Sequence, residues 1–215
     1  HTMQYAKVQQ ATDTFKKLFL ENWVISVGLS GKDSICVAHC AVEGLKQAME
    51  VNPYVGPLYI VTTNTTIENL ELHGLMLDLH QAARKYGREH GLPIRTEELE
   101  PSLANLPMVE YVGRGKLLRT PVTSKNGRDC TVDWKIEPMK RYLRALGDRH
   151  QTNKIASASG TRDLESKVRA ANIAKRNESD VELVKTDLGF TFAPIKSWTL
   201  TDVWALSAAI DNEDI

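Results

Sequence analysis

Residues 24–40 read VISVGLSGKDSICVAHC, and this stretch decides the fold. Val24, Ile25 and Val27 form a short apolar run rich in β-branched residues, which reads as a buried strand. Gly28 to Ser34 supply small polar residues and one lysine, and from Ile35 onward apolar residues return at helical spacing. The order is strand, tight loop, helix. In such a turn the loop N–H groups, the positive end of the helix and the Lys32 ammonium converge on one anion, with the hydroxyls of Ser30 and Ser34 beside them. The expected ligand is a nucleotide phosphate.

Working outward from the loop, strand-like and helix-like stretches alternate. Residues 5–20 carry Val8, Ala11, Phe15, Leu18 and Phe19 near helical spacing, which predicts a helix against the sheet. After the loop, 34–50 is helical, 58–63 is a second buried strand, 68–90 a long helix and 94–99 a third strand. From 101 to 129 the periodicity fails among prolines and glycines, and the segment reads as an irregular insertion over the active face. A helix over about 133–147, a strand at 154–159 closed by Gly160, a helix over about 162–176, a hairpin around 181–193 and a last helix capped by Thr199 complete the chain. The fold class is therefore α/β, a mostly parallel twisted sheet with helices on both faces.

Composition limits what surrounds the loop. At 215 residues and 42% hydrophobic, the chain can bury one sizeable core, so a single domain over 1–215 is expected, with His1-Thr2-Met3 read as an expression scar. Basic and acidic residues balance at 27 each, so any basic site must be local. No apolar run is long enough to span a bilayer and no secretory signal precedes the first strand. Three cysteines make no disulfide framework, and a cytoplasmic location without membrane partners is the expectation.

The loop is not a Walker motif, because that pattern needs glycine and a hydroxyl where this chain has Ser26 and Asp33. It resembles the PP-loop of the ATP pyrophosphatases, and most closely the GKDS form of the phosphoadenosine-phosphosulfate reductase family. Further stretches fall in that family's order. Thr62-Thr63-Asn64-Thr65-Thr66-Ile67-Glu68-Asn69 resembles the S-D-T-x-x-E-N segment of DNA phosphorothioation enzymes of the Dnd and Ssp types, with Asn64 in place of aspartate. Cys130 to Pro138 resembles their C-T-x-x-x-K-I-x-P. Gly160 to Ser166 with Arg169 resembles G-x-R-x-x-E-S-x-x-R, and Pro194 to Thr199 with Asp202-Val203-Trp204 resembles P-I-x-x-W-T-x-x-D-V-W.

The resemblance implies an adenine nucleotide alpha hydrolase-like fold and cleavage of ATP between its α and β phosphates. In the phosphorothioation branch ATP adenylylates a DNA phosphate, and persulfide sulfur handed on by a cysteine desulfurase replaces an oxygen, a step associated with phage defence. The implied nucleotide site is Leu29, Ser30, Gly31, Lys32, Asp33 and Ser34, with Thr62, Thr63 and Asn64 and with Gly160, Thr161 and Arg162. Lys32 and the loop amides would offset charge on the departing pyrophosphate, aided by magnesium. Asp33 either holds water on that magnesium or simply caps the helix.

Cys36 and Cys40 lie among apolar helix positions and read as buried, whereas Cys130 sits between Arg128 and Lys135, a basic context that favours a thiolate. Cys130 is the candidate persulfide carrier, its alternative being a cysteine that packs under the insertion. Some relatives hold a four-cysteine iron–sulfur cluster, which three cysteines cannot supply, so either this branch lacks it or the missing ligands lie beyond Ile215. Arg114, Lys116, Arg119, Lys125 and Arg128 stand in a run without an acid, suited to DNA phosphates or to a solvated loop. Arg169 either joins that contact or pairs with Glu165. The histidines have no acid or thiol partner at useful spacing and are given no role. Implied partners are DNA, the desulfurase and other phosphorothioation proteins; the competing readings are a phosphoadenosine-phosphosulfate reductase and a non-catalytic ATP-binding module.

Overall fold

The apolar run ahead of the loop forms β1, Val24–Leu29, the strand around which the sheet is arranged. The computed structural model describes residues 2–117, 132–165, 174 and 177–212. Within them β2 (Leu58–Thr63), β3 (Ile94–Leu99), β4 (Ile155–Ala158), β5 (Val184–Thr186) and β6 (Gly189–Phe192) join β1 in one sheet of order β3-β2-β1-β4-β6-β5. All pairings are parallel except β5 with β6, which form the expected hairpin. The chain adds strands outward from β1 on one side and then returns to its other side. The switch point therefore lies between the carboxyl ends of β1 and β4, where open α/β sheets take ligands.

Side chains alternate across the sheet, and the two faces meet different helices. Ile25, Val27 and Leu29 of β1 with Leu58 and Ile60 of β2 join the larger core, covered by α1 (Thr2–Leu20), α2 (Lys32–Val51), α3 (Leu70–His90) and α5 (Leu200–Asn212). Val24, Tyr59 and Val61 point the other way, against Tyr142, Leu143 and Leu146 of α4 (Glu137–His150). Gly28 faces the same side, and its missing side chain leaves room for Met139, whose Cε lies 3.6 Å from where a Cβ would stand.

Several motif residues are explained by the fold alone. Asn69 is the N-cap of α3, its Oδ1 accepting from Glu71 N at 2.8 Å, and Gly91 ends that helix in the left-handed region at φ 64. Thr199 and Asp202 exchange hydrogen bonds at the start of α5, with Thr199 N donating to Asp202 Oδ2 at 2.7 Å and Asp202 N to Thr199 Oγ1 at 3.2 Å. Lys7 of α1 also donates to Asp202 Oδ2, tying the first and last helices together. Burial alone would push the Asp202 carboxyl up, but the Lys7 and Thr199 hydrogen bonds hold it below its ordinary value.

The expected elements at 58–63 and 94–99 appear with those bounds. The second helix begins two residues earlier than its apolar spacing suggests, at Lys32, because Gly31 in extended backbone ends the strand's turn immediately. The described residues of the expected irregular insertion include a 3-10 turn at Leu103–Asn105 and a π-helical turn at Met108–Gly113. A second π-helical turn, Val132–Ile136, leads directly into α4. The expected helix over 162–176 lies mostly outside the described residues; its start is a 3-10 turn, Asp163–Glu165.

Helix α1 can cross α2 closely because Gly44 lacks a side chain. A Cβ there would stand 2.5 Å from Phe15 Cβ and 2.9 Å from Thr12 O, nearer than packed atoms tolerate. Phe15 in turn packs edge-on against Phe192 of β6 at 5.1 Å, so the crossing locks α1 to the sheet. Gly44→Ala should therefore destabilise by about 1–3 kcal/mol despite its better helix propensity, read as a lowered midpoint in thermal unfolding by circular dichroism. An unchanged or raised midpoint would show that α1 shifts freely.

Candidate functional site

The turn after β1 and the turn after β4 meet at the switch point. A Cβ on Gly160 would stand 3.0 Å from Ser34 N and 3.2 Å from Asp33 C, so the glycine lets the β4 turn rest directly on the first turn of α2. That approach delivers Arg162, which is 4% exposed. Its Nε lies 3.2 Å from Asp33 Oδ2, while Lys32 Nζ lies 3.4 Å from Asp33 Oδ1. Arg162 Nε and Asp33 Oδ1 are both buried without a hydrogen-bond partner. Charge holds this cluster, and its hydrogen-bonding capacity is incomplete.

Ser34 has a different place from the one its spacing suggests. Its Oγ accepts from Ser30 N at 2.8 Å and Gly31 N at 3.0 Å and donates to Gly31 O at 2.7 Å. The hydroxyl thus occupies the loop amides that an anion would use. Ser30 itself is exposed at the tip of the turn, and Leu29 is buried beneath it as the last residue of β1. Asp33 sits in the first turn of α2, where the helix end favours a carboxylate, and it faces Arg162 rather than capping a backbone N–H.

The third turn contributes less than expected. Thr62 is buried, and its hydroxyl shares a 2.9 Å hydrogen bond with His80 Nε2. Burial holds the His80 imidazole below its ordinary value, so that partner is neutral near pH 7. Asn64 N donates to Leu99 O at 2.7 Å, its Oδ1 accepts from Thr66 N at 2.8 Å, and its Nδ2 donates to Glu98 at 2.8 Å. Asn64 therefore shapes the turn, and Thr63 is the half-buried residue between these two anchors. His73 Nε2 approaches Glu98 Oε1 at 3.4 Å, an acid partner that sequence spacing did not reveal.

Thr161, expected at the nucleotide, is bonded within its own turn and to Glu178. Thr161 Oγ1 meets Ser159 Oγ at 2.8 Å and donates to Glu178 Oε2 at 3.2 Å, and Lys196 Nζ donates to Glu178 O at 2.9 Å. The buried Glu178 braces the β4 turn against the turn that follows β6. Lys135 Nζ lies 3.2 Å from Glu68 Oε1, joining the segment after β2 to the second π-helical turn. The only signal for that pair was that both positions belong to quoted motifs.

Of the run assigned to DNA, Arg114 is exposed after the first π-helical turn. Lys116 is already engaged, 2.7 Å from Glu110 and 3.6 Å from Asp133, and those acid contacts hold its ammonium above its ordinary value. Tyr111 stacks edge-on against Trp134 at 5.7 Å, so the two π-helical turns form one packed unit. Arg119, Lys125, Arg128, Cys130 and Arg169 lie outside the described residues. Cys36 and Cys40 are buried as expected, and burial pushes the Cys40 thiol up to about 12.

For a magnesium ion, the described residues hold no group of three or more histidine, cysteine, aspartate or glutamate side chains able to bind it. The chemistry that fits is an ion carried mainly by phosphates and water, with the orphaned Asp33 oxygen as the carboxylate nearest the loop. Among the described residues no helix is long and apolar enough to cross a membrane.

Comparison with known proteins bears on this geometry. The crystal structure of Candida glabrata FMN adenylyltransferase, in complex with FMN and the ATP analogue AMPCPP, is similar with a TM-score of 0.50 at 14% identity. The match covers 95% of this chain but 56% of that one, so the chain spans little more than half that enzyme's length, and the likeness is one of fold. No curated protein matches the chain. Residues 24–213 match the phosphoadenosine phosphosulfate reductase domain, from the first strand of the sheet to the end of the last helix, and the chain therefore belongs to that family.

Proposed function

We propose that the chain is an ATP pyrophosphatase that activates a DNA backbone phosphate for phosphorothioation. The observation that carries the nucleotide part is the meeting of the loop, the α2 N-terminus and the buried Arg162 at the switch point, where the Ser34 hydroxyl and Asp33 hold the amides and cations that a phosphate would take. An oxygen of the DNA phosphate attacks the ATP α-phosphorus, the bond to the β-phosphate oxygen breaks, and pyrophosphate leaves. Loop amides, Lys32 and Arg162 stabilise the charge that grows on that leaving group. Magnesium, when carried in by the nucleotide, supplies further charge neutralisation.

A persulfide sulfur then attacks the DNA phosphorus and AMP leaves with the former DNA oxygen. A second thiol finally cleaves the sulfur–sulfur bond, leaving a phosphorothioate on DNA and a disulfide between the two thiols. The Lys135–Glu68 pair favours the DNA branch of this reading, because it unites the two stretches whose wording is closest to that branch. Cysteine desulfurase as donor, and Cys130 as carrier, follow from the chemistry of persulfide transfer. Cytoplasmic DNA is the substrate in this reading.

The first test is pyrophosphate release from ATP with and without duplex DNA. Release should depend on DNA, and Lys32→Ala should lower it by about 10²–10³, the usual effect of removing one donor to developing charge. Production of sulfite from phosphoadenosine phosphosulfate and a dithiol, without DNA-dependent pyrophosphate release, would instead establish the reductase. The second test concerns the sulfur. With desulfurase present, Cys130→Ser should keep ATP binding and lose phosphorothioate in digested DNA by mass spectrometry; wild-type product from this variant would mean direct transfer from the desulfurase.

A further inference from the structure

Helix α3 carries its apolar stripe on the wrong side for a helix that only covers a sheet. Leu72, Leu75, Leu79, Ala82 and Tyr86 recur at alternating spacings of three and four, the seam of a helix that packs against another helix. Beyond the buried Met76, the side that meets the sheet is largely polar: His73 approaches Glu98, His80 shares a hydrogen bond with Thr62, and Arg84 donates to Thr96 Oγ1 at 2.6 Å. The stripe is turned toward α2, yet the two helices do not close on each other. Between them lies a groove of about 460 Å³, with Leu29 and Ile60 of the sheet as its floor and Ala38 and Val42 of α2 as its far wall. Protein interiors leave few voids larger than a water molecule, so a space of this size, apolar down to the sheet, is a binding surface. Toward the start of α3, Leu72 and Leu75 continue the stripe into solvent, 39% and 48% exposed.

We infer that the groove takes the α3 helix of a second copy of this chain, packed antiparallel about a two-fold axis near Leu79. Knobs and holes lie on the same stripe, with leucines toward its N-terminal end and the small Ala82 and Ala83 beside the cavity toward its C-terminal end. Antiparallel pairing brings Leu72 and Leu75 of each copy over the hollow of the other, so both ends fill at once and the contact closes on itself. Charge gives the same orientation. Residues 70–79 hold Glu71 and Asp78 and no lysine or arginine, whereas 81–90 hold Arg84, Lys85 and Arg88 against Glu89. Glu71, Asp78, Lys85 and Arg88 are exposed. Antiparallel copies therefore set the acidic half of one helix against the basic half of the other, and parallel copies would set like against like. A small apolar molecule would fill the cavity but would leave the exposed leucines and this division of charge without a use. The inference goes beyond the nucleotide reading and does not depend on it.

The experiment is sedimentation velocity on the full 215-residue chain over a micromolar dilution series, without nucleotide. The wild type should sediment with twice the 24.1 kDa mass of one chain. Leu75→Glu and Ala82→Arg should each raise the dimer dissociation constant at least about thirtyfold. Leu77→Glu, which changes a comparably exposed leucine on another side of the helix, should leave it unchanged. Mixing the two weakened variants should restore a dimer, because antiparallel pairing sets the introduced acid of one copy beside the introduced base of the other and keeps the original contact at the second site. A monomer at every concentration overturns the inference. So does a dimer that survives both substitutions, a dimer lost equally to Leu77→Glu, or a mixture of variants, folded by circular dichroism, that stays monomeric. If a variant fails to fold, hydrogen exchange on the wild type decides: dimerisation must slow amide exchange within 72–86, and a dimer without that protection overturns the inference.

Discussion

A single methyl group at position 160 would collide with the backbone of the phosphate loop, its carbon 3.0 Å from Ser34 N. That contact is the constraint on which the site depends. It sets how near the turn after β4 comes to the turn after β1, and so whether Arg162 reaches Asp33 at all. Two strands that are neighbours in the sheet but distant in the chain are joined at their carboxyl ends by backbone on backbone. Side-chain adjustment cannot absorb a change there, because neither partner has a side chain in the contact.

The same region leaves some of its polar groups incomplete. Elsewhere the turns satisfy themselves: Asn69 caps α3, Thr199 and Asp202 cap α5, and Asn64 closes its own turn. At the switch point Arg162 Nε and Asp33 Oδ1 are buried atoms without hydrogen-bond partners, as are Glu110 Oε2 and Trp134 Nε1 in the π-helical turns. The π-helical turns at Met108–Gly113 and Val132–Ile136 add a second departure from regular backbone on the way into α4, braced by Tyr111 on Trp134 and by Lys116 between Glu110 and Asp133.

The sheet was legible because its strands are local statements. Val24-Ile25 and Leu58-Tyr59-Ile60-Val61 announce buried strands through β-branched and aromatic residues, and the loop between β1 and α2 announces itself through glycine, lysine and serine. What the sequence hid is pairing between segments far apart in the chain. Glu98 with His73, Glu68 with Lys135 and Glu178 with Thr161 each join residues whose spacing carries no period. The run holding Lys116 looked free of acids along the chain, yet Glu110 and Asp133 are beside it in space. The motif residues also divided in a way that spelling alone could not show, with Asn69 and Asp202 serving helix ends and Arg162 facing the loop.

The tight crossing at Gly44 has a consequence for chemical probing of the protein. With α1 crossing α2 at Gly44 and α5 packed on the same helix, Cys36 and Cys40 are each left with no exposed surface. Burial raises both thiols, that of Cys40 to about 12, and Cys36 has Val203 O and Ser207 as its neighbours. Cys36 and Cys40 are thereby silent toward alkylating reagents while the fold is intact. The appearance of a label at Cys36 or Cys40 therefore measures the opening of the helical layer itself.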